Sequence, residues 1–252
     1  MDDKFWFLKN CSLFERLSAP QVQRLESMSK ARQFKRGSLI YLPSDENDSV
    51  LLLAAGRVKI YHVTAEGKQA LLAIIDPGEL FGELAIFDGG IREEYAEAME
   101  KSTVVLIPGD EIQRLMEEHT NVSLGVTKLM GLSRRRVERR LKSLLFRSNR
   151  ERVVHLLLEL AEKYGRLEKD GVSIGIKLSH QDLANIIGST RETVTVVLGD
   201  LQAERSVTIK RRQIVLTNIA RLAESIDVPP PQITKPDKGL QRQAVPLPQF
   251  DL

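Results

Sequence analysis

The side chains with the most specific chemistry in this sequence lie together in a short polar segment, residues 189–196. Arg191 carries a planar guanidinium that can donate two parallel hydrogen bonds to guanine O6 and N7. Glu192, beside it, can accept a hydrogen bond from a cytosine amino group. Thr195 and Val196 follow one helical turn later and complete the four residues that we predict to contact base edges. This chemistry requires a helix that presents these side chains to the major groove of duplex DNA.

The flanking sequence predicts such a helix and a second one before it. Ser179 and Asp182 have the spacing of a capping box, which predicts a helix start. Gly188 can adopt the left-handed conformation that ends this helix, and Thr190 then caps the next. The inward face of the second helix is predicted to consist of Val194, Val197, Leu198 and Leu201. Two helices joined by so short a turn predict a helix-turn-helix.

Other polar side chains around this motif are suited to phosphate contacts, which position a protein on DNA without reading its sequence. We assign this role to Ser179, His180, Gln181, Ser189, Thr190 and Thr193. Residues 206–216 then form two alternating apolar runs with three cations between them, Lys210, Arg211 and Arg212. This pattern predicts a β-hairpin wing whose tip contacts the DNA backbone, so the element is a winged helix-turn-helix.

The segments that precede this motif and must position it have a different pattern of apolar and turn residues. Between residues 34 and 108, short apolar runs alternate with turn residues, which predicts an antiparallel β-roll. A long helix follows, with an apolar stripe at helical spacing. The stripe consists of Val126, Met130, Val137, Leu141 and Leu144. We interpret it as the seam of a coiled-coil homodimer, although such a stripe could also pack on its own domain.

The predicted fold class is therefore α+β, with a sensor-like β-roll over residues 1–118 and a dimerisation helix over 119–147. The winged helix-turn-helix occupies residues 148–227, and a Pro-rich tail over 228–252 is expected to be disordered. Residues 1–118 hold 14 Lys and Arg against 20 Asp and Glu, whereas residues 119–252 hold 23 against 14. Only the second part is therefore expected to meet a polyanion.

The sequence lacks the residues that several other functions would require. Cys11 is the single cysteine, which argues against a cysteine-rich zinc site or an iron–sulfur cluster. His62 and His119 are candidates for haem ligation by residue type alone. No nucleophile motif or P-loop is visible in the sequence, so we do not expect the protein to be an enzyme. Without an apolar membrane span or a signal peptide, we expect a cytoplasmic protein with no membrane partner. A cupin-like ligand-binding β-roll is the alternative, but the roll holds only one histidine.

Taken together, these features resemble the cAMP receptor protein/fumarate-nitrate regulator (CRP/FNR) family of bacterial transcription factors over about residues 10–225. The segments that carry the resemblance are residues 56–61 (GRVKIY), residues 78–84 (GELFGEL), the long helix, and residues 188–194 (GSTRETV). The resemblance implies a homodimer that binds a palindromic promoter site and contacts RNA polymerase. It also implies central G·C contacts through Arg191 and Glu192, with a change at one base because Val196 replaces a family arginine.

The expected effector pocket departs from the cAMP-binding pattern. The residues assigned to it are Gly82, Glu83, Leu84, Arg92, Glu93, Glu94, Val137 and Glu138. In cAMP-binding members the phosphate cassette ends in Arg-Ser or Arg-Thr, where this chain has Glu93 and Glu94. Two carboxylates would repel a cyclic phosphate, so we predict an effector other than cAMP, or none. A shift that places Arg92 in the pocket would instead permit a cyclic nucleotide. We expect no haem and no iron–sulfur cofactor.

Overall fold

The computed structural model describes residues 8, 13–14, 17–46, 48–83, 91–210 and 213–233. The chain divides into two compact units, residues 1–141 and 142–252, and each is described by itself. The predicted α+β class is confirmed, with an antiparallel β-roll, a long helix and a winged helix-turn-helix. Cys11, Leu84, Arg211, Arg212 and residues 234–252 lie outside the described residues.

The β-roll of the first unit consists of two four-stranded antiparallel sheets, with strand orders β1-β8-β3-β6 and β2-β7-β4-β5. The strands are β1 Lys30–Phe34, β2 Leu39–Tyr41, β3 Ser49–Ala55, β4 Val58–Val63, β5 Gln69–Ile75, β6 Leu80–Phe81, β7 Tyr95–Ala98 and β8 Ser102–Pro108. Strands β2, β4 and β8 are rich in β-branched and aromatic residues, whereas β3 and β5 consist largely of leucine, alanine and isoleucine.

Strand β3 shows how one apolar run serves two layers of core. Its side chains point alternately to the two faces of the sheet. Leu51 and Leu53 point into the roll, where they pack with residues of both sheets. Val50 and Leu52 point to the other face, which helices cover. A strand covered on both faces is apolar at nearly every position, as this one is.

The helices on that outer face are α1 Ala19–Met28, α2 Gly109–Glu118 and the first turns of α3 Thr120–Phe146. Val122 and Val126 of α3 are buried in the same core layer as Ile112 and Leu115 of α2. Val126 therefore packs on the β-roll of its own chain, which corrects its assignment to the dimer seam. The helix begins on the roll, so its first apolar residues are used there.

The remainder of the predicted stripe on α3 is exposed. Met130, Val137, Leu141 and Leu144 all present their side chains to solvent, and Val137 is 68% exposed. These residues lie three, four or seven positions apart and share one face of the helix. An uncovered apolar stripe of this kind marks a surface for association.

The second unit begins its packed domain with α4 Asn149–Tyr164, whose first turn is closed by a capping box between Ser148 and Glu151. It continues with β9 Gly165–Glu168, β10 Gly171–Ile174, α5 His180–Ile187, α6 Arg191–Ala203, β11 Val207–Lys210, β12 Gln213–Leu216 and α7 Ile219–Glu224. The four strands form one antiparallel sheet in the order β11-β12-β10-β9. Strands β11 and β12 pair directly with Lys210 opposite Gln213, which is the predicted wing.

Among the helices that the structure describes, none has both the length and the apolar character needed to cross a bilayer.

Candidate DNA-binding site and ligand cavity

Helix α5 begins and ends at the residues from which its bounds were predicted. At its start, Ser179 Oγ accepts a hydrogen bond from the Asp182 backbone N–H (3.1 Å), and the Asp182 carboxylate accepts one from the Ser179 N–H (2.8 Å). At its end, Gly188 has φ 66° and ψ 46°, the left-handed region that side chains disfavour. A Cβ atom on Gly188 would also lie 3.0 Å from Leu144 Cδ2. The turn between the two helices therefore depends on glycine.

Helix α6 packs on α5 and α4 through the predicted inward face. Thr190 is its N-cap, and its Oγ1 accepts a hydrogen bond from the Thr193 backbone N–H (3.2 Å). Val194, Val197, Leu198 and Leu201 are all buried. Because buried residues occupy one face, the other face of α6 presents its side chains to solvent.

Arg191 and Glu192 lie on this outer face in the first turn of α6, and both are exposed. Neither side chain forms a hydrogen bond or ion pair with another of the residues that the structure describes. The simplest alternative to base reading, a surface ion pair between these two neighbours, is therefore not observed. Both polar groups are available to a ligand, and a guanidinium beside a carboxylate can address both bases of a G·C pair.

Thr195 has a different role from its neighbours because its hydroxyl group is already engaged. It donates a hydrogen bond to the Arg191 carbonyl (2.8 Å), and its Oγ1 lies 2.9 Å from His180 Nδ1 on α5. The contact joins the two helices of the motif. Thr195 is itself exposed, and its contact with a base edge stays a prediction.

The residues predicted to contact phosphates lie around the two helix starts. His180 and Gln181 are in the first turn of α5, and Gln181 Nε2 donates to Asn185 Oδ1 (2.8 Å). Ser189 is in the turn, and Thr193 Oγ1 lies 2.9 Å from Thr190 Oγ1. Helix starts expose free N–H groups and favour anions. Lys210 ends β11 at the wing tip.

The first unit contains a cavity of about 370 Å³ between the β-roll and helix α3. Three of the residues assigned to the effector pocket line it, namely Gly82, Glu83 and Glu94. Apolar side chains supply much of the rest, including Ile60, Ile75 and Phe81. A concave apolar site with a few polar groups is the usual form of a small-molecule site.

The polar groups of this cavity are predominantly acidic. Tyr41 donates a hydrogen bond to Glu94 Oε1 (3.1 Å), and burial together with the Glu94 charge raises the pKa of Tyr41 well above its ordinary range. Burial also raises the pKa of Glu83, as does the charge of Glu94, against the opposing effects of a backbone hydrogen bond and Arg136. Two carboxyl groups near each other in a partly buried site disfavour an added negative charge.

Arg92 is placed differently from the sequence-based assignment. It is only 6% exposed, and its guanidinium stacks at 4.1 Å from the centre of the Tyr41 ring. Its Nη2 donates to the Ser49 carbonyl (2.8 Å), whereas Nη1 is buried without a hydrogen-bond partner among the described residues. Arg92 therefore packs inside the roll behind Gly82 and does not line the cavity.

Glu93, Val137 and Glu138 do not line the cavity either, which corrects their assignment to it within this chain. Glu93 is exposed, and Glu138 accepts a hydrogen bond from Arg134 Nε on the surface of α3 (2.9 Å).

Helix α3 instead contributes four cavity residues that the sequence did not indicate, Leu129, Leu132, Ser133 and Arg136. Their spacing of three, one and three residues places them on one helix face, which was the available signal.

Metal binding has little support in the part of the chain that is described. His, Cys, Asp and Glu side chains there do not gather in groups of three or more that could hold an ion. His62 is exposed on β4, and His119 Nε2 lies 2.5 Å from Gln21 Nε2.

Comparison with protein-family models matches both units of the chain. Residues 31–119 match the cyclic nucleotide-binding domain, and residues 151–225 match the Crp-like helix-turn-helix domain. The first match covers most of the β-roll, and the second covers α5, α6 and the wing.

Individual proteins agree with these matches. The chain is 34% identical over 196 residues to the global nitrogen regulator of Synechococcus elongatus, covering 76% of this chain and 87% of that protein. It is 25% identical over 216 residues to a CRP-like cAMP-activated global transcriptional regulator of Mycobacterium tuberculosis, covering 86% and 96%. Among solved structures, a CRP/FNR family transcriptional regulator from Thermus thermophilus has a TM-score of 0.64 at 28% identity, covering 79% and 98%.

Proposed function

Because the chain belongs to the CRP/FNR family of transcription regulators and carries a helix-turn-helix DNA-binding domain, we propose that two copies of it bind one two-fold symmetric promoter site. Each copy inserts α6 into the major groove of one half-site. On DNA, the dimer contacts RNA polymerase, as the resemblance implies.

The observation that carries this proposal is the state of Arg191 and Glu192. Both are exposed on the outer face of α6, and neither is paired with another described residue. The opposite face of α6 is anchored by buried apolar residues, so the two side chains are held on a rigid support. Arg191 then reads guanine O6 and N7, and Glu192 accepts from a cytosine amino group.

Selection from a random duplex library tests this function. We expect the full-length protein to enrich a two-fold symmetric site whose half-sites are centred about one helical turn, roughly 34 Å, apart. Each half-site should contain an invariant G·C pair. Enrichment of no site, or of a single unrepeated half-site, would contradict the proposal.

The cavity of the first unit is proposed as the effector site, and its occupant is proposed to be a molecule other than cAMP. The supporting observations are the two carboxyl groups of Glu83 and Glu94 at the cavity and the withdrawal of Arg92 from it. A cyclic phosphate would meet these two carboxyl groups, with Arg136 of α3 as the one guanidinium among the described residues that line the cavity. A regulator that needs no ligand is compatible with the same chemistry.

Titration calorimetry with cAMP directly tests the proposal that the cavity binds a molecule other than cAMP. We expect no heat of binding at concentrations up to about 1 mM, which corresponds to a binding free energy weaker than about 4 kcal/mol. A double variant with Glu83→Gln and Glu94→Gln removes both charges and serves as the matched comparison. Micromolar affinity of the unmodified protein for cAMP would show that the carboxyl groups do not exclude the phosphate, and would favour a cyclic-nucleotide-responsive regulator.

A further inference from the structure

Val196 is an unusual residue on the outer face of α6 because it is apolar and 63% exposed. The other large apolar side chains of this helix, Val194, Val197, Leu198 and Leu201, are buried against the rest of the domain. Val196 therefore contributes little to the core. Its isopropyl group lies among the side chains proposed to enter the groove.

The helical repeat fixes which neighbours it has. Val196 follows Glu192 by four residues, so it lies on the same side of α6 about one turn further along. Gly199 continues the outer face, and a Cβ atom placed there would meet nothing within 4 Å. The helix surface on the Gly199 side of Val196 therefore carries no side chain, while the exposed Glu192 and Asp200 lie one turn before and one turn after Val196.

The chemistry of a valine leaves one feature of the major groove for it to recognise. It has no hydrogen-bond donor or acceptor, so it cannot pair with the polar groups that mark adenine, guanine and cytosine in the major groove. Thymine alone presents a methyl group there, at C5. A β-branched side chain in a helix is also held largely in one χ1 rotamer, so its methyl groups have a defined position.

We propose that Val196 is a specificity-determining residue that selects thymine at one position of each half-site by packing on its 5-methyl group. The proposal rests on the proposed DNA-binding function. Val196 lies about one turn beyond Glu192 on the same side of the helix, so the position that it selects is expected close to the pair read by Glu192. The neighbouring Thr195 also carries a methyl group, so the test must separate the two.

The experiment uses the full-length protein and its selected duplex. Each thymine of the half-site is replaced in turn by deoxyuridine, which removes the methyl group and changes nothing else. At one position we expect the replacement to weaken binding about three- to fivefold per half-site, the effect of burying one methyl group. The Val196→Ala variant should bind the thymine and uracil duplexes equally at that position. Its affinity for the uracil duplex should equal that of the unmodified protein.

Thr195→Ser is the comparison variant, because it removes the methyl group of the neighbouring predicted base contact but keeps the hydroxyl that bonds to Arg191 and His180. At the position where Val196→Ala no longer distinguishes thymine from uracil, Thr195→Ser should still prefer thymine. Val196→Arg, selected again on random DNA, should exchange thymine for guanine at the same position. Two results would overturn the proposal: methyl removal has no effect at any position, or the preference disappears in Thr195→Ser and persists in Val196→Ala. Failure of the DNA-binding function itself would be seen earlier, as a selection that enriches no site.

Discussion

Arg191 and Arg92 differ in their surroundings, and this difference determines what each guanidinium can do. Arg191 is exposed on α6 with no partner among the described residues, and its guanidinium is available to a ligand. Arg92 is buried, stacked on Tyr41 and bonded to the Ser49 carbonyl, so it supports the wall of the roll. The sequence predicts the first because capping and periodicity place it on a helix. It does not predict the second, because the direction of a loop side chain depends on packing between distant strands.

The partly buried carboxyl group of Glu83 predicts how the folding stability of the protein depends on pH. Burial raises its pKa above the ordinary value of 4.5, with a further contribution from Glu94. A carboxyl whose pKa is higher in the folded than in the unfolded state binds its proton more tightly when folded. Folding stability therefore falls as pH rises above about 4.5 through the shifted value.

Glu83→Gln cannot ionise and should be more stable than the unmodified protein near neutral pH. This advantage should shrink as the pH is lowered toward the ordinary carboxyl range. Thermal unfolding between about pH 4.5 and about pH 7 measures the difference, and each 1 kcal/mol corresponds to roughly 2–4 °C for a domain of this size. The same substitution at the exposed Glu93 is the control. A Glu83→Gln advantage that is constant with pH would show that burial does not affect this carboxyl.

At the scale of elements, helix α3 divides its apolar residues between two tasks. Val122 and Val126 pack in the core of the roll, whereas Val137 and Leu141 are exposed. Between them, Leu129 and Ser133 face the cavity. One helix therefore touches the roll core, the cavity and the surface proposed to join two copies, which is the arrangement needed to connect ligand and dimer.

Leu141→Glu tests the dimer surface. A charge at a buried seam position loses the burial of a leucine on each copy, about 1.5–3 kcal/mol per side chain, so the dimer dissociation constant should rise at least tenfold. Sedimentation velocity should show dimers for the unmodified protein and mainly monomers for this variant at the same micromolar concentration. Arg139→Glu, on the opposite side of the helix, should remain dimeric. A variant Leu141→Glu that sediments as the unmodified protein would contradict the seam.

Elements with a strong period could be predicted from the sequence, and elements without one could not. Strands β3, β4 and β5 have apolar runs that mark them, and α5 and α6 have caps as well as periodicity. Strand β1 was missed because most of its side chains are exposed, so no alternation identifies it. It forms through its backbone pairing with β8, a long-range contact that no local pattern reports.

At the scale of the whole molecule, the proposed effector cavity and the proposed DNA-reading helix lie in separate compact units. The carboxyl-lined cavity lies in the unit of residues 1–141, and the DNA-reading helix lies in residues 142–252. The charge changes sign earlier in the chain than this division: residues 1–141 hold 20 Lys and Arg against 21 Asp and Glu, because the basic residues of α3 fall in the first unit, and residues 142–252 hold 17 against 13. The basic excess of residues 142–252 favours a polyanionic partner such as DNA.

The proposed function depends on Arg191 reading guanine in two symmetric half-sites. The decisive measurement is the random duplex selection performed in parallel on the unmodified protein and on Arg191→Lys, which keeps the positive charge but loses the bidentate guanidinium. We predict a symmetric site with one G·C pair per half-site for the unmodified protein. For the variant we predict the same symmetry and spacing with that pair no longer required, at a cost of about 1–3 kcal/mol. A variant that enriches the same guanine as strongly, or an unmodified protein that enriches no symmetric site, would contradict the account.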